Sequence, residues 1–136
     1  MTRTAWTEDE LRRIGNADVL QLASTRPDAT LRPYVTMWVV RADDGLYVRS
    51  AHGPDNPWYR RAKGSGKGRI RAGGLERAVT FDDAAPGAQA SIDGAYHAKY
   101  DGYGPQIVGS VTGPHAEAVT IRLVPLDDQR LASESD

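Results

Sequence analysis

Two strand-like runs meet at Asp43-Asp44-Gly45, and this junction limits the fold more than any other stretch of the chain. Leu31 to Ala42 (LRPYVTMWVVRA) carries Val35, Met37 and Val39 on one face and Tyr34, Trp38 and Val40 on the other. Beyond the turn, Leu46 and Val48 alternate with Tyr47 and Arg49, the period of a half-buried strand. Asp-Gly between two such runs predicts a hairpin. A strand covered on both faces belongs in the middle of a closed or packed sheet, which favours an antiparallel barrel.

The flanking segments extend this pattern. Thr7 and Glu10 have capping-box spacing and Trp6 and Leu11 the spacing of a hydrophobic staple, predicting a short N-terminal helix that ends at Gly15 or Asn16. Asp18 to Thr25 reads as a strand with Leu20 and Leu22 inward, and Arg26-Pro27-Asp28-Ala29 as a turn. Asn56-Pro57 starts a second helix, which Gly64-Ser65-Gly66 closes. Arg69 to Arg71 and Leu75 to Phe81 pair across Gly73-Gly74, with Arg77 the odd member of an apolar face. Ala90 to Tyr103 reads as a helix weakened by Gly94, and Val119 to Val124 as a last strand stopped by Pro125. The expectation is a mainly β, α+β fold: a six-stranded antiparallel barrel with a short N-terminal helix and two further helices. Residues 1–136 make one domain, with 1–17 a capping helix and 127–136 a flexible acidic tail.

Cysteine is absent, which removes disulfides, thiol nucleophiles and cysteine metal sites. No segment approaches the ~20 apolar residues of a membrane helix, so a soluble cytoplasmic protein is expected. The net charge of −1 is unevenly spread: between Arg60 and Arg77 seven basic residues face one acid, Glu76, leaving −7 elsewhere. That run reads in three ways: a solvated surface, a contact for a phosphate-bearing small ligand, or a nucleic-acid face in which Trp58 and Tyr59 stack on bases.

Leu46 to Arg61 (LYVRSAHGPDNPWYRR) joins a strand end to a helix N-terminus and so brings Arg49, Ser50 and backbone N–H groups together, an arrangement suited to phosphate or carboxylate. Gly64-Ser65-Gly66-Lys67-Gly68 is no P-loop, because Arg61 and Gly68 stand where glycine and a hydroxyl residue are needed. His52, His97 and His115 are dispersed, with His97 and Asp101 a helix-surface pair, so no metal site is expected. No Gly-x-Ser-x-Gly elbow supports a hydrolase. Tyr96, Tyr100 and Tyr103 form a stripe that either packs in the core or lines a pocket.

With Tyr47-Val48-Arg49-Ser50 followed by Gly53-Pro54-Asp55-Asn56-Pro57-Trp58-Tyr59-Arg60 and a basic hairpin, the chain resembles the flavin and deazaflavin split-barrel superfamily, which includes pyridoxamine phosphate oxidase. Within it, residues 18 to 126 are most similar to the deazaflavin-dependent nitroreductase branch and to an uncharacterised, mostly actinobacterial subfamily. The resemblance implies a split barrel, often a homodimer, holding FMN or the deazaflavin coenzyme F-420. Arg49, Ser50, His52, Gly53, Trp58, Tyr59 and Arg60 would hold the phosphate end, with Arg69 or Arg71 adding charge. Tyr34, Thr36 and Trp38 would lie near the ring, and Tyr96, Tyr100 and Tyr103 would close the substrate side as the catalytic face. Arginine at position 49, Ala51-His52-Gly53 in the turn, and Arg32-Pro33 before the second strand depart from the nitroreductase pattern.

The function expected is hydride transfer to or from a small organic substrate by a cofactor-bound oxidoreductase. The alternatives are a cofactor-free split barrel that binds or transforms a small apolar metabolite without redox chemistry, and a nucleic-acid-binding protein.

Overall fold

The computed structural model describes residues 5–51 and 53–126. His52 and the acidic tail fall outside them. The sheet contains β1 (Leu20–Ser24), β2 (Val35–Met37), β3 (Val40–Ala42), β4 (Gly45–Arg49), β5 (Lys67–Ala72), β6 (Leu75–Asp83) and β7 (Thr120–Pro125). The helices are α1 (Glu8–Gly15), α2 (Pro57–Ser65), α3 (Gln89–Tyr100) and the short α4 (Pro105–Gly109) and α5 (Pro114–Glu117). Strand order is β2-β1-β5-β6-β7-β4-β3, and every pairing is antiparallel.

The sheet has seven strands, not the six expected, and the extra one comes from Leu31 to Ala42. That run is two strands on opposite edges: Met37 pairs with Leu20 on one side and Val40 with Tyr47 on the other. Alternation continues through the corner at Trp38-Val39 while the hydrogen-bonding partners change, so periodicity cannot reveal the break. One stretch of chain therefore supplies both edges, which is how the sheet curls into a half-barrel. Val39 lies in the corner, and α3 satisfies its backbone. Its N–H donates to the Tyr100 hydroxyl at 3.3 Å, and its carbonyl accepts from Lys99 Nζ at 2.7 Å.

α1 forms as its capping residues predict. The Thr7 hydroxyl accepts from Glu10 N at 3.1 Å, and Thr7 N donates to Glu10 Oε1 at 3.0 Å. Leu11 and Ile14 are buried, and the Trp6 indole N–H donates to the Leu123 carbonyl at 2.9 Å, fastening the cap to β7. The Gly73-Gly74 turn has φ of 58° and 82°. The backbone of α1 lies so close to Gly73 that a Cβ there would meet the Arg13 carbonyl oxygen at 2.4 Å. Arg77, on the covered face of β6, lies 5.5 Å from the Trp6 ring and is ion-paired with Glu10.

Two apolar clusters flank β4, whose five residues are all buried. Leu46 and Val48 point into the barrel with Leu20, Leu22, Ile70 and Leu123. Tyr47 points the other way, under α3, with Val40, Ile92, Tyr96 and Tyr100. α3 ends at Tyr100, and Tyr103 lies in a following 3-10 turn, Asp101–Tyr103. Where two helices were expected after α1, the described residues hold four. Gly104-Pro105 and Gly113-Pro114, with glycine φ of 107° and 89°, introduce the two that were missed. No helix among the described residues is long and apolar enough to cross a membrane.

Candidate functional site

A cavity of about 340 Å³ opens between the 35–38 segment and the start of α2, lined by Thr36, Trp38, Arg49, Asn56, Trp58 and Ser110 among others. Trp38 is half-buried and stacks on Tyr100, ring centroids 4.0 Å apart and planes 3° apart. Trp58 is buried and meets Tyr59 edge-on, with centroids 5.9 Å apart. Two indoles from different elements thus line one cavity, whose volume falls at the lower end of the ~300–1,000 Å³ common for small-molecule sites.

The other end of α2 borders a second cavity, of about 390 Å³, lined by Thr25, Arg26, Arg32, Arg61, Ser65 and Lys67 with no acid. Arg32 Nε is buried without a hydrogen-bond partner. Leaving such a donor unmet costs about 1–3 kcal/mol, more for a charged group, unless a ligand or water accepts from it. Arg26 is partly occupied, donating to the Leu31 carbonyl at 2.9 Å. Asp28 is the acid that acts on Arg26. Its carboxylate accepts from the Thr30 hydroxyl at 2.6 Å and the Thr30 amide at 3.1 Å, bonds that hold its pKa below the usual value. Arg61 and Lys67 are exposed.

The two cavities lie along the same two segments, with no lining residue in common. Trp58, Arg61 and Ser65 stand at i, i+3 and i+7 on one stripe of α2, separated by about 10 Å of helical rise. The 32–38 segment runs alongside, contributing Arg32 to the basic cavity and Val35 to Trp38 to the aromatic one.

Thr36, Trp38, Arg49 and Trp58, expected at a cofactor, are brought together at the aromatic cavity. Arg49 borders it with little donor capacity to spare. Period-two alternation turns Arg49 with Tyr47 toward α3, where its side chain is fully buried against Asp93. Its Nε donates to Thr120 Oγ1 at 2.9 Å, its Nη1 to Asp93 and to the Val111 carbonyl at 2.8 Å, and its Nη2 to Gln89 Oε1 at 2.6 Å. The Ser50 hydroxyl is 1% exposed in its residue and donates to the Gly53 carbonyl at 2.6 Å, holding the turn in which Gly53 takes φ 83°. Tyr59 donates to the Ala118 carbonyl at 3.2 Å, and Arg60 faces solvent.

Tyr34, Arg69 and Arg71 gather elsewhere, around Glu76. Arg69 Nε donates to Glu76 at 3.1 Å, the Tyr34 hydroxyl donates to the same carboxylate at 3.2 Å, and the Arg71 guanidinium lies 4.0 Å from the Tyr34 ring centroid. The tyrosine stripe divides. Tyr96 is fully buried with an unpartnered hydroxyl, and burial raises its pKa with Arg49 opposing. Tyr100 is buried too, its pKa pushed up to about 12 by burial, and its hydroxyl donates to the Asp18 carbonyl at 2.8 Å. Tyr103 is 55% exposed and meets the edge of the Trp38–Tyr100 stack. His97 and Asp101 form the exposed pair expected, at 2.8 Å.

Arg26, Arg32, Asn56, Ser65 and Ser110 were not expected at a site, whereas Arg61 and Lys67 were, through the phosphate-ligand reading of their basic run. Arg61 and Lys67 belong to the basic run, and Arg26 and Arg32 flank the turn before β2. Long-range pairing brings these stretches together: Thr25 bridges Leu31, and Thr25 N donates to the Lys67 carbonyl at 3.0 Å.

A family model described as "Uncharacterized protein conserved in bacteria (DUF2255)" matches residues 10–123. The chain belongs to this family. No curated protein matches it. Among solved structures, this DUF2255 chain is similar to an F-420 reductase, at 19% identity over 88% of this chain and 94% of that one, with a TM-score of 0.54. It is similar to a FAD-binding protein from Mesorhizobium loti, at 15% identity over 91% of each chain and a TM-score of 0.53. A putative pyridoxamine 5'-phosphate oxidase from Listeria innocua matches at 12% identity, over 88% of this chain and 90% of that one, with a TM-score of 0.55. At these identities the likeness is one of fold, a split barrel.

Proposed function

We propose that this DUF2255 protein binds a phosphate-bearing flavin or deazaflavin, FMN or coenzyme F-420, along α2 and serves as an oxidoreductase for a small organic substrate. One observation carries the reading: an indole-lined cavity and an acid-free cationic cavity lie on the same stripe of the same helix. An aromatic ring joined to a phosphate has that shape and charge. The unmet Arg32 Nε supports the fit, since a phosphate oxygen supplies the acceptor it lacks. Trp38, Thr36 and Trp58 would hold the ring, and Arg32, Arg61, Lys67 and Arg26 the phosphate. When bound, such a cofactor supplies hydride chemistry.

The protein's own residues bind, orient and keep water out. Trp38 is held flat by Tyr100, which is itself tied to the Val39 corner, so the ring platform is rigid before any ligand arrives. Arg49 acts as a brace between β4, α3 and the 111 turn, fixing one wall of the cavity. The reading takes residues 1–136 as one cytoplasmic domain and, as the resemblance implies, a homodimer.

The internal saturation of Arg49 and Ser50 favours a second reading, a split barrel without cofactor that binds a small apolar metabolite beside Trp38. Titration with FMN and with F-420, followed by tryptophan quenching and the cofactor's absorbance, separates the two. Binding of either cofactor supports the first reading, and binding of neither removes it.

A further inference from the structure

A groove of about 310 Å³ lies between the last turn of α1, β3 and α3, and shares no lining residue with either cavity along α2. Its buried floor includes Leu11 and Val40, Arg12 is exposed, and Arg41 is half-buried. Lys99 lines it, and no acid does. The Lys99 amine donates one hydrogen to the Val39 carbonyl at 2.7 Å and lies 5.0 Å from the Tyr100 ring centroid.

The charged groups around it come from every neighbouring element. Arg12 of α1 is paired with Asp9 through Nη2 alone, at 2.5 Å, whereas Arg41 of β3 is forked onto Glu8, Nη1 and Nη2 each at 3.0 Å, with its Nε donating to the Asp43 carbonyl at 3.0 Å. Asp18, before β1, is the acid that acts on Lys99. Burial lowers the Lys99 pKa to about 8, with Asp18 pulling it back up. Its own helix adds His97, which is bonded to Asp101 of the following 3-10 turn. A lysine in such surroundings holds a far larger share of neutral, nucleophilic amine at neutral pH than an exposed one.

We infer that Lys99 is a covalent site, at which a small anionic aldehyde enters the groove beside Arg12 and condenses with the Nζ amine. The neutral amine's lone pair attacks the carbonyl carbon and a C–N bond forms. The carbonyl oxygen leaves as water as the C=N bond of the imine closes, and the amine's hydrogens leave in that water. No oxidant or reductant is needed, and the inference does not depend on a bound cofactor.

The chain has three lysines, Lys63, Lys67 and Lys99, so the other two are internal references. Full-length protein is treated at neutral pH with glyoxylate, a carboxylate-bearing aldehyde, and the imines are trapped with cyanoborohydride. Peptide mass mapping then gives the rate at each lysine, and parallel samples use uncharged formaldehyde. Lys99 is expected to carry the glyoxylate adduct about tenfold or more faster than Lys63. Arg12→Gln is expected to slow that labelling several-fold and leave formaldehyde labelling of Lys99 unchanged. Glyoxylate labelling of Lys99 no faster than that of Lys63 overturns the inference. So does a Lys99 advantage seen with formaldehyde alone, which would show a reactive amine without an anion-selective groove. Lys99→Arg, checked for folding by circular dichroism, must lose the adduct from the 99 peptide.

Discussion

The indole of Trp38 lies flat on the phenol of Tyr100, 4.0 Å between centroids, and the same Tyr100 hydroxyl accepts from the Val39 amide next door. The platform of the aromatic cavity and the corner that closes the sheet are therefore held by a single side chain.

Tyr100→Phe keeps the stack and removes the hydroxyl, leaving the buried Val39 N–H without its acceptor. A loss of about 1–3 kcal/mol is expected in urea unfolding. Trp38→Ala leaves that bond intact and removes the platform. It should weaken FMN or F-420 binding about tenfold, read by absorbance titration. Equal effects of the two substitutions on affinity and on stability would count against this division of labour.

Arg49→Ala is expected to destabilise the fold by about 3–5 kcal/mol, because Asp93 loses its charged partner and keeps only the Gly113 amide among the described residues, and three further acceptors lose their donor. Arg61→Ala is expected to leave the midpoint of unfolding unchanged. Its effect should fall on FMN rather than on riboflavin, which lacks the phosphate, and shrink as salt rises. Loss of affinity with unchanged stability in Arg49→Ala would instead make that side chain a direct ligand contact.

The pH dependence of stability has opposite signs on either side of about pH 10. Lys99 has a folded pKa of about 8, below the ~10.4 of an unfolded lysine. Between those values the unfolded chain binds more protons, so stability rises with pH. Tyr96 and Tyr100 have raised folded pKa values. The unfolded phenols ionise first, near ~10, and stability falls above that. Lys99→Met should flatten the rise and leave the fall, as measured by urea unfolding from pH 8 to 11.

Two glycines behave oppositely. A Cβ at Gly68 would meet the Ala23 carbonyl oxygen at 2.0 Å, so Gly68→Ala forces β1 and β5 apart and should cost several kcal/mol. Gly94 is exposed in α3 with open space around it, so Gly94→Ala should stabilise by about 1 kcal/mol. Thermal melts of the two variants give the order.

Local chemistry was legible in the sequence where local chemistry decides the outcome. The Thr7–Glu10 box, the Asn56-Pro57 helix start and the Gly73-Gly74 turn are written in adjacent residues, and each forms as read, except that the Asn56 side chain makes no capping bond. Thr36 and Trp38 were placed at the ring by resemblance, whereas Trp58, which joins them at the aromatic cavity, was placed at the phosphate end. What was hidden depends on side-chain direction and distant pairing. Arg49 turned inward because α3 covers that face of β4, and Arg32 reaches the same cavity as Arg61 through the pairing of Thr25 with Lys67, which no local pattern announces. The seventh strand was hidden because alternation does not register a change of partner.

The place of β7 in the sheet bears on how the chain folds. It is the latest strand in sequence, yet it sits between β6 and β4 and joins the β2-β1-β5-β6 half to the β4-β3 half. Pairing Arg49 with Thr120 closes a separation of 71 residues. High contact order of this kind slows folding, because the entropy of a long loop is lost before its contacts repay it. During synthesis the two halves must wait, tethered through Trp38-Val39 and with β4 and β6 each lacking a neighbour, until residues 120–125 emerge from the ribosome to fill the gap.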